Sequence, residues 1–404
     1  MPKFPLLCAM MFLQFFVWGS WMVTAGRFVP AQGWDQSTTG WVYSAGPIAA
    51  LISPLFLGLV ADRYFASQRV MALLHGLGGA IMLYVPTVAA NGDVGTFEWL
   101  ILAHTLCYMP TLALSNTVAF THITNQATQF PMVRVFGTLG WIAAVTFVSK
   151  GLQADTDAVM FQVAGGSGLL LAVLSLVLPH TPPPAAGQPV RIGELFGLGA
   201  FELLRDRAFA VFLFCSFLIC IPLAGYYGFG NQFAGTVWSD SAYYMTFGQW
   251  AEVLFMLVMP LCFARLGVKW MLAVGMLAWV VRYGLFAAAA GSTPPVAWMV
   301  LGGILLHGIC YDFFFVTGQI YVDQRARREI RGQAQSLLVL VTQGLGMLIG
   351  AQVMTALVKD HSTDPTDPAT AAWSSIWLWP CLGAGLILLV FVALFRVPRD
   401  PGRA

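Results

Sequence analysis

Twelve apolar runs, each close to the length a helix needs to cross the hydrocarbon of a bilayer, dictate what this chain can become. A bilayer core of about 30 Å takes about 20 helical residues. Runs of that size lie near 6–26, 40–61, 70–90, 97–121, 133–150, 159–178, 208–235, 243–264, 270–290, 296–322, 332–358 and 373–395. Of the 404 residues, 58% are hydrophobic and only 9% charged, against about a quarter charged in an ordinary soluble domain. The predicted fold is an all-α membrane protein with twelve transmembrane helices. The first run is too long for a signal-peptide core and lacks a small-residue cleavage pattern, so it is expected to remain as the first helix.

Between the sixth and seventh runs lies PHTPPPAAGQPVRIGELFGLGAFELLRDR, residues 179–207, whose proline and charge cannot span a membrane and read as a linker. It divides an N-terminal six-helix bundle, 1–178, from a C-terminal one, 208–404. Lys and Arg fix the orientation. Lys3, Arg63, Arg69, Arg191, Arg205, Arg207, Arg265, Lys269, Arg325, Arg327, Arg328, Arg331, Arg396, Arg399 and Arg403 fall on one side, with only Arg27, Lys150 and Lys359 opposite. By the positive-inside rule both termini and the linker are expected in the cytoplasm.

The halves also echo one another. GLVADRYFASQRV is partnered weakly by CFARLGVKWM, and VRVFGTLGW by IRGQAQSLLVLVTQGLG, each offset by about two hundred residues. Such an offset is the parallel repeat of a two-bundle transporter with its substrate site at the midplane. A polytopic membrane enzyme would also be helical, but it has little reason to repeat itself, and HExxH, GxSxG and GxxxxGK[ST] are missing. The net charge of +2 is scattered over short loops, so no nucleic-acid partner is expected. Cys8, Cys107, Cys215, Cys220, Cys262, Cys310 and Cys381 show no metal-ligand spacing and read as small core residues.

The polar residues inside the runs carry the chemistry. Among the acidic residues only Glu252 and Asp312 lie well within spans, and Gln249, three residues before Glu252, shares its helix face. Intramembrane carboxylates mark ion pathways and proton relays, because burial disfavours their charged form and lets them take up and release a proton; the alternative is a structural pair with a nearby cation. Arg134, followed by Gly137 and Gly140, either turns into a cavity through close helix packing or snorkels to the cytoplasmic interface. Arg282, deeper in its span, reads as a structural partner rather than a ligand group. Aromatic and amide side chains at matching depth form a candidate pocket: Gln14, Trp18, Asn116, Trp141, Tyr226, Tyr227, Asn231, Tyr311 and Phe315. Aromatics on a flat ligand with amides at its edges suit a nucleobase or a sugar. His104 and His307 are either titrating groups or hydrogen-bonded packing residues.

These residues carry a family resemblance. FLQFFVWGSW, YSAGPIAALISPLFLGLVADRYF, YMPTLALSNT, FPMVRVFGTLGW, QWAEVLF, AWVVRYGLFA and YDFFFVTGQIYVD, spread over both halves, resemble the bacterial nucleoside:proton symporters of the major facilitator superfamily. The resemblance implies a monomer in the bacterial inner membrane that imports nucleosides with protons by alternating access, with no metal or organic cofactor. It also implies that Arg134, Thr138, Gln249 and Glu252 are cavity residues and that Asp312, beside Tyr311, is a second key carboxylate. The sequence departs from the pattern at Ala224 and Tyr227, where the permeases place amides, and at His307, where they have tyrosine. A carrier for another small polar solute, such as a sugar or a cell-wall fragment, is the alternative.

Overall fold

The computed structural model describes residues 3–57, 62–183, 193 and 198–396. Residues 184–192 and 194–197 of the expected linker, Arg191 among them, the opening GLVA of GLVADRYF, and Arg399 and Arg403 lie outside the described residues.

Among the described residues the chain is helical almost throughout and forms no strand. The spans begin with α1 (Lys3–Gly19), α2 (Gln36–Phe56), α3 (Ser67–Ala90), α4 (Val94–His122), α5 (Gln126–Thr146) and α6 (Val159–Val177). Next come α7 (Arg207–Ala234) and a continuous helical stretch over Ser241–Ala289. Its 49 residues would reach about 74 Å at 1.5 Å per residue, more than twice the bilayer core. Gly267, at φ 65°, adopts the left-handed conformation open to glycine and divides this stretch into α8 before it and α9 after it. The last spans are α10 (Ala297–Arg325), α11 (Arg331–Asp360) and α12 (Trp373–Leu394). Nine helices among the described residues are long and apolar enough to cross a membrane. With Ser241–Ala289 taken as two spans and α1 and α2 added, the architecture is consistent with the twelve expected.

Polar caps start several helices. Asp35 accepts from the Ser37 amide ahead of α2, Asp93 from Thr96 ahead of α4, and Asn125 from Thr128 ahead of α5. Two features differ from the simple apolar runs. The first run breaks after Gly19 and resumes as Ala25–Ala31; in the intervening turn Ser20 Oγ donates to the Phe16 carbonyl at 2.7 Å and Thr24 Oγ1 to Trp21 O at 3.1 Å, side-chain bonds that compete with the helix ladder. Phe147–Gly151, Tyr311–Val316 and Leu340–Gly346 wind as π turns, a form often found at functional sites.

The chain forms two compact units. The first holds residues 1–192, 226–246 and 358–371; the second holds 193–225, 247–357 and 372–404. In the first, α1 lies so close to α5 that a Cβ on Gly140 would collide with the Phe12 carbonyl, and α3 meets α6 where a Cβ on Gly165 would sit 2.8 Å from Gly79 O. In the second, α8 and α10 touch where a Cβ on Gly308 would sit 2.6 Å from Ala251 O. Arg27, Lys359 and Lys150 each meet a carboxylate in the first unit: Arg27 with Asp155 at 3.2 Å, Lys359 with Asp35 at 2.8 Å, and Lys150 with Asp240. In the second unit Arg327 pairs with Glu202 at 2.6 Å and Arg325 with Asp206. All cysteines carry free thiols and are buried or half-buried.

Candidate functional site

The first unit holds Gln14, Asn116, Arg134, Thr138, Trp141, Tyr227 and Asn231. Arg134 projects from the early turns of α5 with its guanidinium carbon 4.3 Å from the centre of the Phe15 ring on α1. Gly137 makes this possible, since a Cβ there would lie 2.7 Å from both Arg134 Nη1 and Phe15 Cδ2. The side chain is exposed and makes no ion pair with the described residues. It is therefore held by stacking along α1, with its charged edge available. Thr138 and Trp141 follow on the same helix, both half-buried. Trp141 meets Trp18 edge-on at 5.4 Å, and Trp18 packs on Tyr108 at 5.6 Å. The indole Nε1 of Trp141 is buried and lacks a hydrogen-bond partner among the described residues.

Gln14 and Asn231 are placed differently from these exposed or half-exposed groups. Gln14 is fully buried, its amide joined to Thr111 at 2.7 Å and to His75 at 2.9 Å. Asn231 Nδ2 donates to Val23 O at 2.9 Å, while its Oδ1 accepts from Ser241 Oγ at 2.7 Å. Ser241 Oγ in turn accepts from Arg27 at 2.9 Å, so Asn231 belongs to the same network as the Arg27–Asp155 pair. Tyr227 is half-buried with its ring 5.9 Å from Tyr226, and Asn116 is half-buried on α4. His104 Nδ1 lies 3.0 Å from Gly78 O.

The second unit holds Gln249, Glu252, His307, Tyr311, Asp312 and Phe315. The tight α8–α10 seam positions the acid. A Cβ on Gly248 would lie 3.0 Å from His307 Cβ, and across this seam Glu252 Oε2 stands 4.0 Å from His307 Nε2. Gln249 shares the α8 face with Glu252, and both are half-buried. One turn beyond His307 the helix widens into the Tyr311–Val316 π turn, which carries Asp312 among buried phenylalanines. Asp312 is 0% exposed, and neither carboxyl oxygen has a hydrogen-bond partner among the described residues. Tyr311 lies 6.1 Å from His307 and 5.4 Å from Phe315, whose ring also meets Trp279 at 6.0 Å. Arg282 is fully buried and its Nε donates to Gly303 O at 3.0 Å, joining α9 to α10.

Phe15, Tyr108 and Thr111 fall inside the motifs FLQFFVWGSW and YMPTLALSNT without being singled out as site residues, and His75 was not singled out at all. His75 carries the same signal as His104, an imidazole inside an apolar run, whereas Phe15 and Tyr108 differ in no visible way from aromatics that only pack.

A nearly all-helical scaffold of apolar spans is that of a membrane transporter of the major facilitator fold. The chain belongs to the Nucleoside H+ symporter family, whose model matches residues 3–400. It is 37% identical over 399 residues to the Escherichia coli (strain K12) transporter YegT, covering 96% of this chain and 93% of that protein. It is 30% identical over 411 residues to the xanthosine permease of Escherichia coli (strain K12), covering 98% and 96%. The crystal structure of the nucleoside transporter NupG superposes with a TM-score of 0.88 at 27% identity, covering 98% of this chain and 100% of that one.

Proposed function

We propose that this protein imports nucleosides together with protons, using Glu252 and Asp312 as its coupling carboxylates. The observation that carries the coupling is the setting of Asp312, a fully buried carboxyl group with neither oxygen hydrogen-bonded among the described residues. A carboxylate held at bilayer depth costs about 2.5–3.5 kcal/mol on insertion scales, and among the described residues no hydrogen-bond donor meets either oxygen to offset that cost. A group so placed is suited to hold a proton while sequestered and to release it when its cavity fills with water. Glu252, half-buried and near His307, is suited to exchange with solvent more readily.

Within the first unit Arg134, Thr138 and Trp141, and within the second Gln249, Tyr311 and Phe315, are each of the kind a nucleoside needs: planar rings for a base and charged, hydroxyl or amide groups for ribose hydroxyls. Supporting the substrate class are the family membership and the relatives named for xanthosine and nucleosides. Tyr227 and His307 bear on which nucleoside is preferred. The reading places the chain in the bacterial inner membrane with bundles 1–178 and 208–404, and the Lys and Arg distribution supports a cytoplasmic linker at 179–207. The test is calorimetric titration of the purified protein with a panel of nucleosides, hexoses and cell-wall sugars. Heat from uridine, adenosine or xanthosine alone supports the reading; heat from a hexose alone overturns it and leaves the fold standing.

A further inference from the structure

A buried polar cluster in the first unit adjoins the part of α1 that carries Phe15 and Trp18, the partners of Arg134 and Trp141. His75 on α3, Gln14 on α1 and Tyr108 and Thr111 on α4 are all at most 3% exposed. Their hydrogen bonds form a closed circuit. Gln14 Nε2 is 2.7 Å from Thr111 Oγ1, Thr111 Oγ1 is 2.6 Å from Tyr108 O, and Tyr108 Oη is 2.7 Å from Gln14 O. Gln14 Oε1 lies 2.9 Å from His75 Nε2.

Hydrogen-bond direction follows from the inventory of each group. The Tyr108 carbonyl can only accept, so the Thr111 hydroxyl donates its one proton there and accepts from Gln14. That requires the amide nitrogen of Gln14 to face Thr111 and its oxygen to face His75. His75 must therefore donate through Nε2–H. A flipped Gln14 amide would set an oxygen against a hydroxyl whose proton is already committed. The amide is held at both ends, and His75 supplies the bond that Thr111 cannot.

Gln14 is followed one residue later by Phe15, on which Arg134 stacks, and four residues later by Trp18, which meets Trp141. Tyr108 closes the circuit from the other side, donating to the Gln14 backbone while packing on Trp18 at 5.6 Å. We infer that His75 is a positioning residue for nucleoside binding: by donating to Gln14 it fixes α1 so that Phe15 and Trp18 hold Arg134 and Trp141 in place. This rests on the nucleoside reading given above. Gln14 acts in the same way, from behind the binding surface rather than on the ligand.

The inference is tested with the purified full-length protein by calorimetric titration of uridine, adenosine and xanthosine. His75→Leu keeps the bulk and removes the donor, and the expected result is about tenfold weaker binding, the effect of losing roughly one buried hydrogen bond's worth of preorganisation. His75→Gln, which returns an N–H at similar reach, recovers most of that loss. In a Trp141→Ala background His75→Leu costs less than it does in the wild type, because part of its effect passes through the Trp18–Trp141 contact and residues sharing a contact are not additive. Should His75→Leu not fold, Thr111→Val removes the other anchor of the same amide and gives the same pattern. Full additivity with Trp141→Ala, or unchanged binding by His75→Leu, overturns the inference while wild-type binding keeps the nucleoside reading intact. Wild-type protein that binds no nucleoside overturns both.

Discussion

Removing the guanidinium of Arg134 separates two roles with different energies. If the side chain only lies on Phe15, Arg134→Ala forfeits an exposed cation–π contact, worth about 0.5–1 kcal/mol, and that loss appears in thermal stability alone. If its exposed edge also bonds ribose hydroxyls, binding loses a charge-assisted hydrogen bond of about 1.5–3 kcal/mol, a rise in Kd of roughly ten- to more than a hundredfold. Two further variants sharpen the reading. Arg134→Lys keeps the charge but loses the planar fork, so its Kd should fall between wild type and alanine. Gly137→Ala puts a Cβ 2.7 Å from both Arg134 Nη1 and the Phe15 ring, so it should displace the guanidinium and weaken binding without touching the charge. The assay is titration calorimetry with uridine beside a thermal melt. A Kd within about threefold of wild type for Arg134→Ala, together with a lowered melting temperature, would refute the ligand role and leave only the stacking.

Asp312→Asn and Glu252→Gln keep shape while removing the titratable group, so proton-driven accumulation should fail in at least one of them while exchange of labelled for unlabelled nucleoside persists. Accumulation retained by both variants under an inward proton gradient contradicts the coupling assignment. Gly308→Ala drives a Cβ to 2.6 Å from the Ala251 backbone and should destabilise the protein by about 1–3 kcal/mol in a denaturation series; an unchanged midpoint would mean the α8–α10 seam can open without loss. Tyr227→Asn should shift preference among nucleosides in competition uptake rather than abolish transport, and loss of all uptake contradicts a role confined to selectivity.

The spans were legible because bilayer thickness converts directly into run length, and the charged residues inside them because each violates the composition around it. Asp312 and Glu252 announced themselves in this way. The breaks within spans did not. The π turn beneath Asp312 and the turn after Gly19 leave hydrophobicity unchanged, and only the backbone course reveals them. The same limit applies to direction. Gln14 and Asn231 read as ligand amides at suitable depth, yet their hydrogen bonds are made within the first unit, to Thr111 and His75 and to Val23 and Ser241. Depth follows from sequence position; the partner of an amide depends on how neighbouring helices pack, here through glycines such as Gly140 and Gly137 that admit α1 against α5.

Uptake of radiolabelled uridine, adenosine and xanthosine into proteoliposomes, with the pH gradient imposed inward, outward or abolished, tests proton-coupled nucleoside import most directly. Accumulation above the external concentration only under the inward proton gradient, collapsed by an uncoupler and competed by unlabelled nucleoside but not by a hexose, is the predicted result. Uptake that stops at equilibrium whatever the gradient, or that a hexose competes and nucleosides do not, would contradict it.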